Sequence, residues 1–326
     1  MILAGDVGGT KTLLGLFEIV DDNLILLEKE KFISKDFNSL QEIISKFAGS
    51  NNIEAAVFGV PGPALKGEVK LTNLDWKLSA AQISKELDIP KVKLVNDLGA
   101  TAYSIPYLNE DELIKIYEGQ KKFSNNKYGI LAPGTGLGEA FLICEDGNKI
   151  ILSSEGGHSD FAPTNDLEIE LLKYLLKKYK RVSNERVISG SGLPNIFDFL
   201  VEYGYGFPNE ETLERFKNED KALVISEMAL SGKDKLCSDT LEIFVSALGA
   251  RAGNLVLANL TTGGIFLGGG IPHKIKNLLL SEIFISSYKN KGRLSSIVEA
   301  TPVYIINNNE AALKGASLYA KSLMRK

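Results

Sequence analysis

The segment Gly5-Asp6-Val7-Gly8-Gly9-Thr10-Lys11-Thr12 joins an apolar run, Ile2–Val7, to a second, Thr12–Val20, across a turn of small residues. Runs of this kind on both sides read as strand, glycine turn, strand. A P-loop or a dinucleotide-binding turn opens a helix instead, and a P-loop needs glycine where Thr10 precedes Lys11. Both are excluded. What remains is a hairpin whose backbone N–H groups can approach anionic oxygens because no Cβ intervenes, with the Thr10 hydroxyl beside them. A lone Gly-Gly would be read as a tight turn and nothing more. Asp6 shifts that reading, because a carboxylate next to phosphates is repulsive unless a divalent cation stands between them; it points to Mg²⁺ held through water.

The run Leu24–Phe32 follows, then a helical stretch from Asn38 to Ala48 with Leu40, Ile43, Ile44 and Phe47 on one face, then strand Ile53–Val60. Beyond the turn at Pro61-Gly62-Pro63 come a helix over Ser79–Leu87, a strand over Val92–Val95 and a helix opening near Asn96. The mixture is α/β. Setting Leu3–Glu18 beside Leu131–Glu145 gives an echo: an apolar strand, a Gly-Thr turn, a second apolar strand and an acidic turn, each continuing into a third apolar run. Ala132 aligns with Asp6. Two such meanders suggest a duplicated core with one phosphate-facing hairpin in each half. From Asp166 the pattern turns helical, over Leu167–Lys180, Lys221–Ala229 and Asp234–Leu260, before strands Gly264–Leu267 and Val303–Ile306 and a final amphipathic helix, Asn309–Leu323.

Two further glycine clusters extend the argument. Gly134-Thr135-Gly136-Leu137-Gly138 repeats the small-residue turn without a carboxylate, which suits phosphate alone. Gly268-Gly269-Gly270, after the apolar Ile265-Phe266-Leu267, offers backbone that can lie against a flat base and ribose. Each alone is an ordinary turn. Three glycine turns at the ends of apolar strands are what a nucleotide held between two lobes requires.

Val95-Asn96-Asp97 ends a strand and opens a helix, so Asn96 or Asp97 can be an N-cap. Alternatively Asp97 accepts the proton of a substrate hydroxyl while Asn96 hydrogen-bonds a neighbouring one; this segment alone leaves the two readings level. Glu155-Gly156-Gly157-His158 concentrates polar groups after an apolar strand. With His273 the only other histidine, the ligand count for a metal is poor, and hydroxyl recognition suits Glu155 and His158 better. Glu185 could be a third such residue or a surface helix carboxylate.

At 326 residues the chain suits two lobes. A net charge of -4 with scattered basic residues argues against nucleic acid as a partner. No signal-like N-terminus and no apolar run of membrane-spanning length is present, so a cytoplasmic protein is expected. Cys144 and Cys237, the two cysteines, read as free buried thiols.

GDVGGTKT at 5–12, LTNLDW at 71–76, VNDLGATA at 95–102, PGTGLGEA at 133–140, EGGHSDFAP at 155–163, ERVISGSGL at 185–193 and FLGGGI at 266–271 together resemble the bacterial glucokinase family, over essentially the whole chain. The resemblance implies a two-lobed, ribonuclease H-like/actin-like sugar kinase fold with a duplicated mixed β-sheet core and an interlobe cleft. Its small α/β domain would be 1–107 plus 307–326 and its large α/β domain 108–306. It implies MgATP-dependent phosphorylation of glucose, with Asp97 deprotonating the 6-hydroxyl and Asn96, Asp97, Glu155, His158 and Glu185 binding the sugar, beside Asn73. Nucleotide contacts would come from Gly5, Asp6, Val7, Gly8, Gly9, Thr10, Gly134, Thr135, Gly136, Gly268 and Gly269. Family members often form homodimers. Lys11-Thr12 and the run Asn309–Gly315 depart from the pattern of close glucokinases, the latter putting nucleotide contacts from the final helix in doubt.

Overall fold

The computed structural model describes residues 1–62, 64, 67–71, 74–120 and 126–324 of the chain. Thirteen strands occur among them. The first half contributes β1 (Ile2–Val7), β2 (Lys11–Val20), β3 (Asn23–Ile33), β4 (Ala55–Val60), β5 (Glu68–Lys70), β6 (Lys77–Ser79) and β7 (Lys91–Asn96). Then follow β8 (Leu113–Tyr117), β9 (Lys127–Pro133), β10 (Leu137–Glu145), β11 (Asn148–Ser154), β12 (Gly264–Leu267) and β13 (Val303–Ile306).

One sheet has the order β3-β2-β1-β4-β7, and another the order β11-β10-β9-β12-β13-β8. The expected echo is therefore topological: β1 and β9 each stand third in a run of three consecutive strands and each then meets a parallel neighbour, β4 or β12. Strand β8 closes the second sheet antiparallel to β13, and β5 pairs with β6 in a small separate ribbon. The chain forms two compact units, Met1–Glu112 with Ala140–Ser153 and Asn308–Lys326, and Leu113–Glu139 with Ser154–Asn307.

In the first unit the centre of the sheet is covered on both faces, as parallel strands require. Leu3 and Val7 pack with Ile43, Ile44 and Phe47 of helix Leu40–Ala48 on one side. Ile2 and Ala4 pack with Ala100, Leu313, Ala316 and Ala320 on the other, so alternate residues of β1 serve two cores. Helix Leu40–Ala48 is capped by Ser39, whose hydroxyl accepts from the Glu42 N–H at 3.2 Å. In the second unit helix Lys235–Asn259 is, among the described residues, the one helix long and apolar enough to cross a membrane. Two-thirds of its most apolar stretch is buried in the protein, as in a core helix.

Candidate active site

In the first unit the parallel registers fix where chemistry can occur. Asp6 lies opposite Gly59 on β4, and Gly59 lies opposite Val95 on β7, one residue before Asn96. Adjacent strands lie roughly 4.8 Å apart, so Asp6 and the start of helix Asp97–Ser104 share the carboxyl ends of three neighbouring strands, where open α/β sheets bind ligands. Gly59 permits this approach: a Cβ there would come within 3.2 Å of Ala100 Cβ and 3.4 Å of Asp97 Cα. Burial pushes the Asp6 carboxyl up to about 6, and the Asp97 carboxylate adds to the rise.

Asn96 is the helix cap. Its Oδ1 accepts from the N–H groups of Leu98 at 3.1 Å and Gly99 at 3.2 Å, and its Nδ2 donates to the Gly62 carbonyl at 3.3 Å. Asp97 Oδ1 accepts from Leu98 N–H at 2.7 Å. Both members of the pair thus bond the first turn of the helix: the Asn96 oxygen is committed to it, and what Asn96 can still offer outward is its second amide N–H.

The first glycine turn is braced from beneath. Gly8 N–H donates to Lys11 O at 2.9 Å, the Ser34 hydroxyl donates to Gly8 O at 2.7 Å, and the buried Thr12 hydroxyl lies 3.0 Å from Ser34 Oγ. Thr12 has a structural task that the motif alone did not disclose. Lys11 is exposed at the start of β2. Among the described residues no group of three or more His, Cys, Asp or Glu could cage a metal ion. A single half-buried carboxylate fits Mg²⁺, which keeps several waters and takes further ligands from substrate phosphates.

In the second unit His158 and Glu185 are brought together, and the Glu155 carbonyl accepts from His158 N–H at 3.0 Å. Gly156–His158 form a 3₁₀ turn, Phe161 N–H donates to Val182 O at 3.0 Å, and Asn184 N–H donates to Ser159 O at 2.9 Å. These bonds lay the chain after His158 beside the chain before Glu185, leaving His158 Nδ1 3.9 Å from Glu185 Oε1. Glu185 Oε2 accepts from Leu137 N–H at 3.0 Å, which ties the carboxylate to the second glycine turn. Glu185 stands in a 3₁₀ turn, not on a surface helix.

Beneath that turn lies a pair the motifs did not reveal. Glu139 is almost fully buried and forms two hydrogen bonds with Arg251, whose Nη2 also donates to Gly156 O at 3.1 Å. The signal was present: a carboxylate amid the apolar residues of β10 and a guanidinium within an apolar helix each need a buried partner. Gly156 and Gly157 are required by proximity, since a Cβ would fall 2.0 Å from Glu139 Oε2 or Leu137 O respectively.

The second and third glycine turns converge as well. Strands β9 and β12 run parallel with Leu131 opposite Leu267. Gly134 N–H donates to Gly136 O at 2.8 Å, Gly190 N–H to Gly134 O at 2.7 Å and Gly268 N–H to Leu131 O at 3.0 Å. Gly269 adopts φ 82°, and a Cβ on it would stand 2.9 Å from Pro133 O. Gly190 joins this cluster without having been singled out in the sequence. Asn73 lies outside the described residues.

The family model described as Glucokinase matches residues 3–323. The chain belongs to the glucokinase family. A glucokinase of Nostoc punctiforme is 39% identical over 99% of each chain, and one of Synechocystis sp. is 35% identical over 98% of this chain and 97% of its own. The crystal structure of a glucokinase from an Antarctic psychrotroph matches with TM-score 0.88 and 31% identity, covering 100% of this chain and 99% of that one. A Balamuthia mandrillaris glucokinase in complex with glucose shares the fold at TM-score 0.77, with 22% identity over 98% of this chain and 93% of its own. The fold is that of the sugar kinases, and family membership makes the chain an ATP-dependent sugar kinase.

Proposed function

We propose that this chain transfers the γ-phosphoryl group of ATP to the 6-hydroxyl of glucose, with Asp97 as general base. The observation that carries the proposal is the placement of Asp97 at the carboxyl end of the parallel strands, near enough to Asp6 for its charge to raise the Asp6 pKa. Phosphoryl transfer has a loose transition state, so the base need only accept a proton late while holding the hydroxyl in line.

The hydrogen bonds already made narrow what each neighbour does. Asn96 donates to a sugar hydroxyl through Nδ2, because its oxygen caps the helix. Glu185 accepts from a hydroxyl through Oε1 while Oε2 remains on Leu137 N–H. Glu155 accepts and His158 donates or accepts beside it. Because Gly8 N–H is committed to Lys11 O and Gly134 N–H to Gly136 O, phosphate contacts fall to the N–H groups of Gly9, Thr10, Thr135 and Gly136. Gly268 and Gly269 lie against the nucleoside. Asp6 would hold Mg²⁺ through water, and the ion would supply positive charge against the phosphate oxygens. We further propose that the chain works as a homodimer in the cytoplasm.

A coupled ADP-release assay with glucose tests the assignment. Asp97→Ala is expected to lower kcat by about 10²- to 10⁴-fold while calorimetry still detects glucose binding. Undiminished turnover would remove Asp97 from the reaction.

A further inference from the structure

The first unit contains a cavity of about 960 Å³ that the proposed reaction does not use. Among the described residues its lining includes Lys93, Lys149 and Lys321 against one carboxylate, Asp22, together with Tyr103, Tyr107 and Tyr319. Asp22 is already matched by Lys321 at 3.0 Å, whereas Lys93 and Lys149 form no ion pair among the described residues. Among the described residues, two lysines without a carboxylate partner therefore line one concave surface.

The aromatic part is ordered. Tyr103 and Tyr319 stack with centroids 4.8 Å apart and planes 16° from parallel, and Lys149 Nζ stands 4.9 Å from the Tyr107 ring centroid and 5.8 Å from that of Tyr103. These contacts hold the Lys149 ammonium in place over the rings instead of leaving it to sweep through solvent. Tyr107 itself is 41% exposed and can pack against a ligand. A second cavity of about 370 Å³ adjoins through shared Tyr107 and Leu318, and is lined on its apolar side by Leu24, Leu26 and Leu313.

Position separates this cavity from the candidate active site. Asp97 opens helix Asp97–Ser104, while Tyr103 and Tyr107 lie at and beyond the other end of that helix, whose eight residues span about 12 Å. Lys93 is on β7, four residues before Asp97, a rise of roughly 13 Å.

The geometry points to a second ligand site that takes a phosphomonoester metabolite, its phosphate between Lys93 and Lys149 and its ring on Tyr107 at the mouth of the apolar cavity. The ring can be a sugar or a base, since both present a face to tyrosine. Occupancy would load the far end of the helix that begins with Asp97, so the site can also modulate turnover.

Phenyl phosphate, a ring and a phosphate with no hydroxyls for the sugar site, is the first probe. Isothermal titration of the full chain is expected to show one molecule bound, with affinity at least tenfold weaker in the Lys93→Ala/Lys149→Ala variant and unchanged in Asp97→Ala. Phenol and inorganic phosphate should each bind at least tenfold more weakly than the ester. Titrating AMP and glucose 6-phosphate with the active site filled by glucose and a non-hydrolysable ATP analogue assigns the ring. A lysine-dependent preference for AMP supports a nucleotide ligand and the reverse supports a sugar phosphate. Absence of phenyl phosphate binding up to about 10 mM, at which any site would be weaker than about 3 kcal/mol, overturns the proposal. So does binding that survives loss of both lysines in a variant whose circular dichroism melt matches the parent.

Discussion

Arg251 grips Glu139 with two parallel hydrogen bonds, Nε to Oε1 and Nη2 to Oε2, both 2.7 Å long. Because Nη2 also reaches Gly156 O, the pair anchors the turn carrying Glu155 and His158 from below. Arg251→Met should leave Glu139 buried without its counter-charge, a change that costs about 3–5 kcal/mol. The turn would then loosen, and KM for glucose should rise by more than kcat falls. Arg251→Lys keeps the charge without the fork and is expected to fall between the two. Urea denaturation and steady-state kinetics check both effects; an unaltered KM in folded Arg251→Met would leave the pair with a purely structural role.

Asp6 makes stability depend on pH in an uncommon direction. Its carboxyl is raised from 3.8 to about 6, so between those values the folded chain keeps a proton that the unfolded chain releases. Stability contributed by this group falls as pH rises through that window, and above pH 6 the full penalty of about 3 kcal/mol applies. Asp6→Asn should therefore stabilise the ligand-free protein at neutral pH, with the advantage vanishing near pH 4. Urea midpoints at about one-unit pH steps would show it; parallel profiles for parent and variant would refute the shift. If Asp6 holds the cation as proposed, the same variant should lose affinity for MgATP, since an amide cannot take the place of the carboxylate.

Much of this was written locally. The strand-turn-strand at Gly5–Thr12, the period of helix Leu40–Ala48 and the strand-helix junction at Asn96 depend on neighbouring residues, and the structure places each near its expected bounds. What the sequence hid were relationships between distant segments. Glu139 and Arg251 are 112 positions apart, and nothing in either neighbourhood names the other. Thr12 and Ser34 brace Gly8 across 22 and 26 positions, so a residue that looked like a departure within the first motif proves to be a support. Strand β8 escaped notice because its run Leu113-Ile114-Lys115-Ile116-Tyr117 is short, and it is stabilised by β13, nearly two hundred residues later.

That support can be tested. Thr12→Val keeps the β-branched shape while removing the hydroxyl from a buried contact, which should cost about 1–3 kcal/mol if Ser34 is left under-satisfied. Ser34→Ala removes the direct bond to Gly8 O and should raise KM for ATP with little change in KM for glucose. Equal effects on both substrates would argue against a role confined to the first glycine turn.

Gly136 offers the cleanest separation of function from folding. A Cβ there would lie 2.5 Å from Glu185 Oε2 and 3.2 Å from its Cδ, atoms at the far end of a flexible side chain. The backbone is not in the way, so Gly136→Ala can be accommodated by moving the carboxylate, at a stability cost below about 1.5 kcal/mol. Moving it breaks the bond from Leu137 N–H and shifts Oε1 relative to His158. KM for glucose is therefore expected to rise about tenfold or more, roughly the 1.4 kcal/mol of one charge-assisted hydrogen bond, while the melting temperature stays close to that of the parent. Gly157→Ala is the contrasting variant: its Cβ would meet the Leu137 backbone carbonyl at 2.0 Å, which cannot swing aside, so loss of stability should accompany any loss of activity. If Gly136→Ala binds glucose normally, Glu185 is not held by this turn for sugar recognition.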